Sequence, residues 1–264
     1  MRLKPLFIAA ILALSIGAPA AAGSPDQLDL EDPVIRGQLD AYIAEWIQEN
    51  AGQVLADIQK HLEEEQARNS PQLAEFVSRA DELIAPDAPH DGAELDVATV
   101  IAVEFFDFNC PYCLALHAEF KKLKAANPDI AFVYRDFPIL QESSRTAAEA
   151  GRAAMKQGKY PEFADGIFSL PSHRIDEAGI VAVAEKVGLD MAQFAQDRAS
   201  AESEAGVEKT FQQARSLKIA GTPFVFLWSP EHGKGAVIGG MAPADQIQPM
   251  IDALRDGQDV GAAR

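Results

Sequence analysis

Cysteine is scarce in this chain, which has only two among its 264 residues, Cys110 and Cys113. A bridge between them would close too short a loop to stabilise a fold appreciably. The pattern therefore excludes the disulfide framework that braces many small exported domains. Redox chemistry or metal binding is left as the reason for this pair.

Long apolar runs are also few, and the most extended one lies near the start of the chain. Arg2 and Lys4 precede an apolar stretch over residues 6–16, and Ala20 begins a run of three alanines suited to cleavage. This order is typical of a secretory signal peptide, which we place at residues 1–22. An uncleaved N-terminal anchor is the alternative. No later stretch is long enough for a transmembrane helix, so we expect a soluble protein exported to the periplasm.

Basic residues are few relative to acidic ones. The chain has 23 Lys and Arg residues against 40 Asp and Glu residues, and its formal net charge is −17 at pH 7. A surface this acidic repels nucleic acid and anionic lipid. The charge therefore argues against a nucleic-acid partner.

The N-terminal part of the chain predicts helices. Apolar residues recur at spacings of three and four over residues 33–68, with Asp32 as the expected N-cap and Pro33 at the first helical position. The Asn-Ser-Pro triplet that follows predicts a break before a second amphipathic segment, residues 73–84. Neither helix can bury its apolar stripe alone. We therefore expect a helical arm at residues 23–90 that packs on the main domain or on another subunit.

A polar linker over residues 85–98 leads into a main domain, residues 91–264. The apolar runs at residues 99–106 and 130–137 predict two strands that are buried on both faces. A helix over residues 110–126 lies between them, and a strand–helix–strand unit makes the two strands parallel.

Helices dominate the next stretch of the chain. The candidates, each bounded by glycine, proline or capping residues, lie at residues 144–157, 160–168, 176–187, 190–198 and 202–217. The chain then returns to sheet, because residues 223–228 and 236–238 predict a hairpin, and it ends in a helix over residues 244–255. The order β-α-β, a helical insertion at about residues 143–217, and β-β-α predicts an α/β fold.

The two cysteines lie where the first predicted strand passes into its helix. Free backbone N–H groups and the positive end of the helix dipole stabilise a thiolate at such a position. We expect these groups to lower the pKa of Cys110. Cys110 should then be the exposed nucleophile, and Cys113 the buried thiol that resolves a mixed disulfide. Pro111 suits the first helical turn, and with Tyr112 it should tune the redox poise. An inert buried pair is the alternative.

Glu104 interrupts the apolar run of the first predicted strand, six residues before Cys110. An ionised carboxylate is costly there, and burial should raise its pKa towards neutrality. It could then accept the proton of Cys113. A strand-end carboxylate that reaches solvent or a lysine is the alternative.

Two weaker signals accompany these residues. His117 follows Cys113 by four positions and Cys110 by seven, so the three side chains could share one helix face and bind Cu(I) or Zn. A packed or solvated helix histidine is the alternative. Thr222 and Pro223, just before the next predicted strand, mark a turn.

Residues 105–113 read Phe-Phe-Asp-Phe-Asn-Cys-Pro-Tyr-Cys. With the helical insertion and the later Thr222-Pro223 pair, they resemble the DsbA-type thioredoxin superfamily over about residues 95–256. The helical arm, the Cys-Pro-Tyr-Cys motif and the threonine before the proline are most similar to the suppressor-of-copper-sensitivity protein C and Com1-like exported proteins. Residues 85–96 depart from that subgroup, because they lack its Gly-Asn-Pro approach to the first strand.

The resemblance implies a thioredoxin-like fold in which Pro223 is cis and faces the two cysteines. The Thr222 backbone would then hydrogen-bond an incoming peptide in strand fashion. The resemblance also implies that the arm is an oligomerisation region, with a homotrimer through residues 33–84 as the form that similar proteins suggest.

Residues and resemblance together predict an exported protein thiol–disulfide oxidoreductase, a disulfide isomerase or reductase acting on misfolded proteins. Its catalytic residues would be Cys110, Cys113 and Glu104, with Thr222 and Pro223 at the substrate. No cofactor or metal is expected. The expected partners are substrate proteins with thiols or disulfides and a membrane-bound redox protein. A DsbA-like dithiol oxidase and a non-enzymatic copper-binding protein are the alternatives.

Overall fold

The computed structural model describes residues 32–85, 87–170, 175–258 and 260. The predicted signal peptide, residues 1–22, lies outside this set. The chain divides into two compact units, Met1–Lys60 and His61–Arg264. No helix in the described part of the chain is both long enough and apolar enough to cross a membrane.

The first helix, α1, runs from Pro33 to Ser78 and so contributes to both units. The Asp32 carboxylate accepts a hydrogen bond from the Val34 N–H at 2.8 Å, which confirms Asp32 as the N-cap. Several large apolar side chains of the helix are exposed within the first unit: Val34, Leu39, Tyr42, Ile43, Trp46, Ile47, Leu55 and Ile58.

The break predicted after residue 68 is wrong, since α1 continues through Pro71. A proline inside a helix removes one backbone hydrogen bond and costs about 3 kcal/mol. Beyond it, Phe76 is fully buried and stacks on Phe224 with ring centroids 5.2 Å apart. Tertiary packing of the last turns therefore overrides the local preference of the Asn-Ser-Pro triplet.

A five-stranded sheet organises the second unit. Its strands are β1 His90–Gly92, β2 Val100–Phe106, β3 Ile130–Asp136, β4 Phe224–Ser229 and β5 Lys234–Gly239. The strand order is β1-β3-β2-β4-β5, with β2 parallel to β3 and every other pair antiparallel. Every residue of β2 and β3 is buried, which confirms the prediction of two strands covered on both faces.

Strand β1 lies inside the stretch predicted as a polar linker, so that prediction is wrong for residues 90–92. The strand pairs with residues 131–133 of β3. A His-Asp-Gly sequence has neither the alternation of apolar and polar residues nor the β-branched residues that predict a strand. Its strand conformation comes from pairing with β3. Gly92 has a φ of +88°, and a Cβ there would lie 2.4 Å from the Ile130 carbonyl oxygen, so glycine is required.

Helices cover both faces of the sheet. They are α2 Ala80–Leu83, α3 Pro111–Ala126, α4 Glu142–Lys156, α5 Tyr160–Phe168, α6 Glu177–Lys186, α7 Met191–Arg198, α8 Ala201–Ser216 and α9 Ala244–Arg255. One core joins a face of the sheet to α3, α9 and much of the insertion, and the other joins the opposite face to Phe76, α2 and the end of α8. The predicted α/β order with a helical insertion is confirmed.

Arg135 lies on β3 and is completely buried. Its guanidinium donates to the backbone carbonyl oxygens of Leu83 at 2.8 Å and Glu82 at 3.2 Å, and it lies 3.6 Å from the Asp87 carboxylate. A buried cation is tolerated when it is paired and hydrogen-bonded in this way. Arg135 therefore ties β3 to the segment at and after the end of α2.

Phe76→Ala should lower the free energy of unfolding by about 3–5 kcal/mol, because it leaves a cavity in the core and removes the stacking on Phe224. Urea unfolding followed by circular dichroism measures the change. Val34→Ala is the matched control, since Val34 is exposed on the same helix and should change stability by no more than about 0.5 kcal/mol. An equal loss in both variants would contradict the packing described for Phe76.

Candidate dithiol site

The two cysteines lie at the start of α3. Cys110 is the N-cap, with an extended backbone at φ −82° and ψ 118°, and Pro111 follows in the first turn. The Leu114 N–H donates to the Cys110 carbonyl oxygen at 3.0 Å and begins the helical ladder. Proline loses no hydrogen bond here, because the first N–H groups of a helix have no intrahelical acceptor. The Cys110 sulfur thus lies at the positive end of the helix dipole.

Hydrogen bonds at the helix start lower the pKa of Cys110 to about 5. The bond from the Cys113 thiol contributes most. Bonds from the Thr222 side chain and from the backbone N–H groups of Cys113 and Tyr112 add to it, and burial opposes them. Burial raises the pKa of Cys113 far above its usual range, and the bond to Cys110 raises it further. Cys110 therefore ionises first, and it is the cysteine present as a thiolate near neutral pH.

Both cysteines are buried thiols, and Cys110 is only 3% exposed. The prediction of an exposed Cys110 is therefore wrong, whereas the burial of Cys113 is confirmed. The Cys110 thiol donates to the Thr222 carbonyl oxygen at 3.3 Å, across a separation of 112 residues. The Cys110 sulfur is therefore covered by residues that are distant in the sequence, and the Cys-x-x-Cys spacing alone does not predict such contacts.

The Thr222–Pro223 peptide bond is cis, as the resemblance implies. The Gly240 N–H donates to the Pro223 carbonyl oxygen at 2.9 Å and joins this turn to the end of β5. Since β4 neighbours β2 in antiparallel register, the turn before β4 meets the loop that carries Cys110 after β2. The sheet topology thus brings the two sequence motifs together.

Glu104 is buried within β2, between Tyr134 of β3 and Val225 of β4. Its Oε1 atom has no hydrogen-bond partner among the described residues. Burial raises the pKa of Glu104, the charge of Cys110 adds to this effect and Lys124 opposes both, and the resulting pKa is about 8. The alternative in which Glu104 reaches solvent is therefore wrong.

Sequence patterns do not reveal a polar cluster on the strand and helix beside Glu104. Lys124 of α3 pairs with the Asp91 carboxylate of β1, and the Tyr134 hydroxyl donates to the same carboxylate at 3.3 Å. Burial, with Asp91, raises the pKa of Tyr134 well above its usual range, so the hydroxyl stays protonated. Asp91 lies in the segment predicted as a linker, and the sequence around Lys124 does not distinguish it from other lysines on a helix surface. The two residues meet because β1 pairs with β3 and α3 packs on the sheet.

A buried carboxylate fixes the loop before the cysteines, and it too has no sequence signature. Asp107 accepts hydrogen bonds from the backbone N–H groups of Asn109 at 2.8 Å and of Ile139 and Leu140 at 2.9 Å. The Cys110 N–H donates to the Asp107 carbonyl oxygen at 2.9 Å. Asp107 therefore fixes the position of Cys110 relative to the segment that follows β3.

His117 does not join the cysteines as a metal ligand. Its Nε2 lies 2.6 Å from Asp165 Oδ1, and its ring packs on Phe168 with centroids 4.7 Å apart. Burial lowers the pKa of His117, and Asp165 opposes that effect. Nowhere in the described ranges are three His, Cys, Asp or Glu side chains grouped to hold a metal ion. The structure therefore supports the packed-histidine interpretation.

A β-α-β unit whose helix begins at a Cys-x-x-Cys pair, facing a cis-proline turn, defines a dithiol protein of the thioredoxin fold. The model of the DSBA-like thioredoxin domain matches residues 101–252. The chain belongs to this DsbA-like family of thiol–disulfide oxidoreductases. The resemblance stated from the sequence is confirmed at the level of the family.

Solved structures carry the same fold. A thioredoxin-like oxidoreductase from Silicibacter pomeroyi DSS-3 is 35% identical, with a TM-score of 0.59 over 67% of this chain and 97% of that one. Proteus mirabilis ScsC in a transitional conformation is 19% identical, with a TM-score of 0.60 over 84% of this chain and 98% of that one. At that identity the likeness to ScsC shows the fold.

Curated relatives include much longer proteins. The Na(+)/H(+) antiporter NhaA 3 of Salinispora tropica is 26% identical over 151 residues, which is 56% of this chain. The chain spans 23% of the length of that antiporter. The likeness is therefore to one part of a larger protein.

Alkylation should distinguish the two cysteines. Cys110 should react with iodoacetamide at pH values above about 5, and its rate should fall below that pH as the thiolate is protonated. Cys113 should stay unmodified, because its raised pKa keeps it a thiol. Mass spectrometry of labelled peptides measures both rates, with Cys110→Ala and Cys113→Ala as references. Preferential labelling of Cys113 would reverse the assignment.

Glu104→Gln should slow thiol–disulfide exchange without unfolding the chain, because it removes a buried proton acceptor and keeps the shape of the side chain. The wild-type rate should rise as Glu104 ionises at a pH of about 8, and the variant should lack this rise. A pH–rate profile of both proteins measures the effect. Identical profiles would show that Glu104 is only structural.

The stability of the same two proteins provides the control. The unfolded chain releases the Glu104 proton near pH 4.5, whereas the folded chain keeps it up to about 8. As the pH rises from 4.5 to about 8, the wild-type free energy of unfolding should therefore fall relative to that of Glu104→Gln. A difference that does not vary with pH would contradict the burial of the carboxyl group.

Proposed function

We propose that this chain is an exported protein disulfide isomerase or reductase that acts on misfolded proteins through Cys110 and Cys113. One observation carries the proposal: a thiol with a pKa of about 5 contacts the carbonyl oxygen of Thr222, in a cis-proline turn, at 3.3 Å. The low pKa keeps a nucleophile available at neutral pH, and the turn offers backbone groups to an extended client chain. Export to the periplasm rests on the predicted signal peptide.

Exchange begins when the Cys110 thiolate attacks one sulfur of a client disulfide. A bond forms between the two sulfurs, the client disulfide breaks, and the second client sulfur leaves as a thiolate. In isomerisation, another client thiolate attacks the client sulfur of the mixed disulfide and releases Cys110, without net oxidation. In reduction, the Cys113 thiolate attacks Cys110, the client leaves reduced, and a Cys110–Cys113 disulfide remains.

Proton transfer limits the reductive route, because the raised pKa of Cys113 keeps it protonated near neutral pH. Glu104, with a pKa of about 8, accepts this proton as Cys113 attacks. Pro111 fixes the first turn of α3, and Tyr112 donates its backbone N–H to Cys110. Both residues therefore set how strongly the thiolate is stabilised.

A dithiol oxidase is the second candidate, and the low pKa of Cys110 favours it. Stabilising the thiolate stabilises the reduced protein, which makes the Cys110–Cys113 disulfide more oxidising. A client thiolate would attack that disulfide, and two electrons would pass from the client to the protein. A membrane-bound redox partner would reoxidise the pair in this cycle, whereas in the isomerase cycle it would keep Cys110 reduced.

The N-terminal part of α1 supports an assembly of several copies. Leu39, Ile43 and Ile47 recur at a spacing of four and are 39%, 44% and 51% exposed. Packing such a stripe against sister copies removes apolar surface from water. We propose a homotrimer through residues 33–84, in which several dithiols hold one client at high effective concentration.

Full-length protein should be a trimer in light scattering and should reactivate a protein with scrambled disulfides. Ile47→Asp should give monomers that lose most of this isomerisation yet still exchange with single-disulfide peptides, since the dithiol is unchanged. Val97→Asp is the matched control, because Val97 is 70% exposed in the second unit and the variant carries the same added charge. It should retain both the trimer and the isomerisation.

Each contrary result has a distinct meaning. A monomeric wild-type protein would contradict the trimer. Full isomerisation by a monomeric Ile47→Asp would separate the activity from the assembly. A wild-type protein that oxidises reduced clients and never rearranges scrambled ones would favour the oxidase.

A further inference from the structure

An open pocket of about 330 Å³ lies beside the cis-proline turn. Thr222 and Pro223 line it, and the Thr222 carbonyl oxygen is also 3.3 Å from the Cys110 sulfur. An extended chain advances about 3.3 Å per residue. A client that is bonded to Cys110 and runs along the turn therefore reaches the pocket within a few residues of its own cysteine.

The pocket is open because much of its wall lacks side chains. Gly221, Gly239 and Gly240 line it, and a Cβ built at any of them would meet no atom within 4 Å. Phe224 also lines the pocket, and its ring is held by stacking on Phe76 with centroids 5.2 Å apart. The space in front of these backbones is thus free for a side chain from another molecule.

Lys218 gives the pocket its charge. It lines the pocket, it is exposed, and within the described residues it makes no ion pair, while the other lining residues are uncharged. Lys218 follows α8 with a left-handed backbone at φ 57°, a position where glycine is common. The Gln72 amide donates to the Leu217 carbonyl oxygen at 2.9 Å and fixes the rim beside it.

We infer that this pocket binds an acidic side chain, Asp or Glu, close to the reacting cysteine of a client, and that Lys218 selects it. The inference rests on the exchange activity proposed above. The net charge of the whole chain is −17, so its overall field disfavours acidic clients. A preference for an acidic side chain must therefore come from the local pair with Lys218.

Disulfide-containing peptides that differ only in Glu or Gln, placed at each of two positions on either side of the cysteine, test this. At the best position, kcat/KM of the wild-type protein should be roughly two- to fivefold higher for the Glu peptide, and high salt should reduce the difference. Lys218→Met should abolish the preference, and Lys218→Glu should transfer it to a Lys peptide.

Lys186→Met is the matched control, because Lys186 is exposed at the end of α6 and the variant makes the same change in net charge. It should keep the wild-type preference. Loss of the preference in this variant would assign it to the field of the whole chain and overturn the inference. Equal rates for the Glu and Gln peptides at every position would also overturn it.

Reduction of the oxidised protein by dithiothreitol, which is uncharged and carries no peptide, separates the role of the pocket from the exchange activity. A protein that reacts with dithiothreitol but does not prefer the Glu peptide would contradict only the role of the pocket and would leave the exchange activity in place. A protein whose Cys110–Cys113 disulfide reacts with neither dithiothreitol nor peptides would contradict the exchange activity itself, and the inference with it.

Discussion

The hydrogen bonds that converge on the Cys110 sulfur are the interaction on which the rest of the site depends. A helix N-terminus alone stabilises an exposed anion by about 1 kcal/mol or less. Lowering the pKa of this thiol from 9.0 to about 5 requires several donors to be fixed at once. The sheet supplies one of them, because β2 and β4 are neighbours and bring Thr222, whose side-chain hydrogen bond helps to lower this pKa, to the start of α3.

The charges of the Glu104 carboxylate and the Cys110 thiolate repel each other. In the exchange proposed above, this repulsion orders the proton transfers. The charge of Cys110 raises the pKa of Glu104, so Glu104 is held protonated while Cys110 is a thiolate. Once Cys110 is bonded to a client sulfur, its charge is gone and the pKa of Glu104 falls. In the reductive route proposed above, the carboxylate thus becomes available at the stage at which Cys113 loses its proton.

The parts of the fold that the sequence predicts are those with local signals. The strands around residues 99–106 and 130–137, the helix after Cys110 and the burial of Glu104 each follow from a short run of residues. Strand β1, the cover over Cys110 and the pairing of Lys124 with Asp91 depend on contacts between distant segments, which no local pattern expresses. The helix through Pro71 is the converse case, since a strong local signal is overridden by the packing of Phe76.

Strand β3 serves two parts of the molecule at once, because successive side chains of a strand point to opposite faces. Phe132 and Tyr134 belong to the core that contains Cys110 and Cys113, whereas Ala131 and Val133 belong to the other core. Arg135 continues the second series and donates to the Leu83 carbonyl oxygen. The effects of substitutions along β3 should therefore alternate from one residue to the next. Those at residues 132 and 134 should disturb the surroundings of the dithiol, and those at residues 131, 133 and 135 should disturb the core and the contacts at the end of α2.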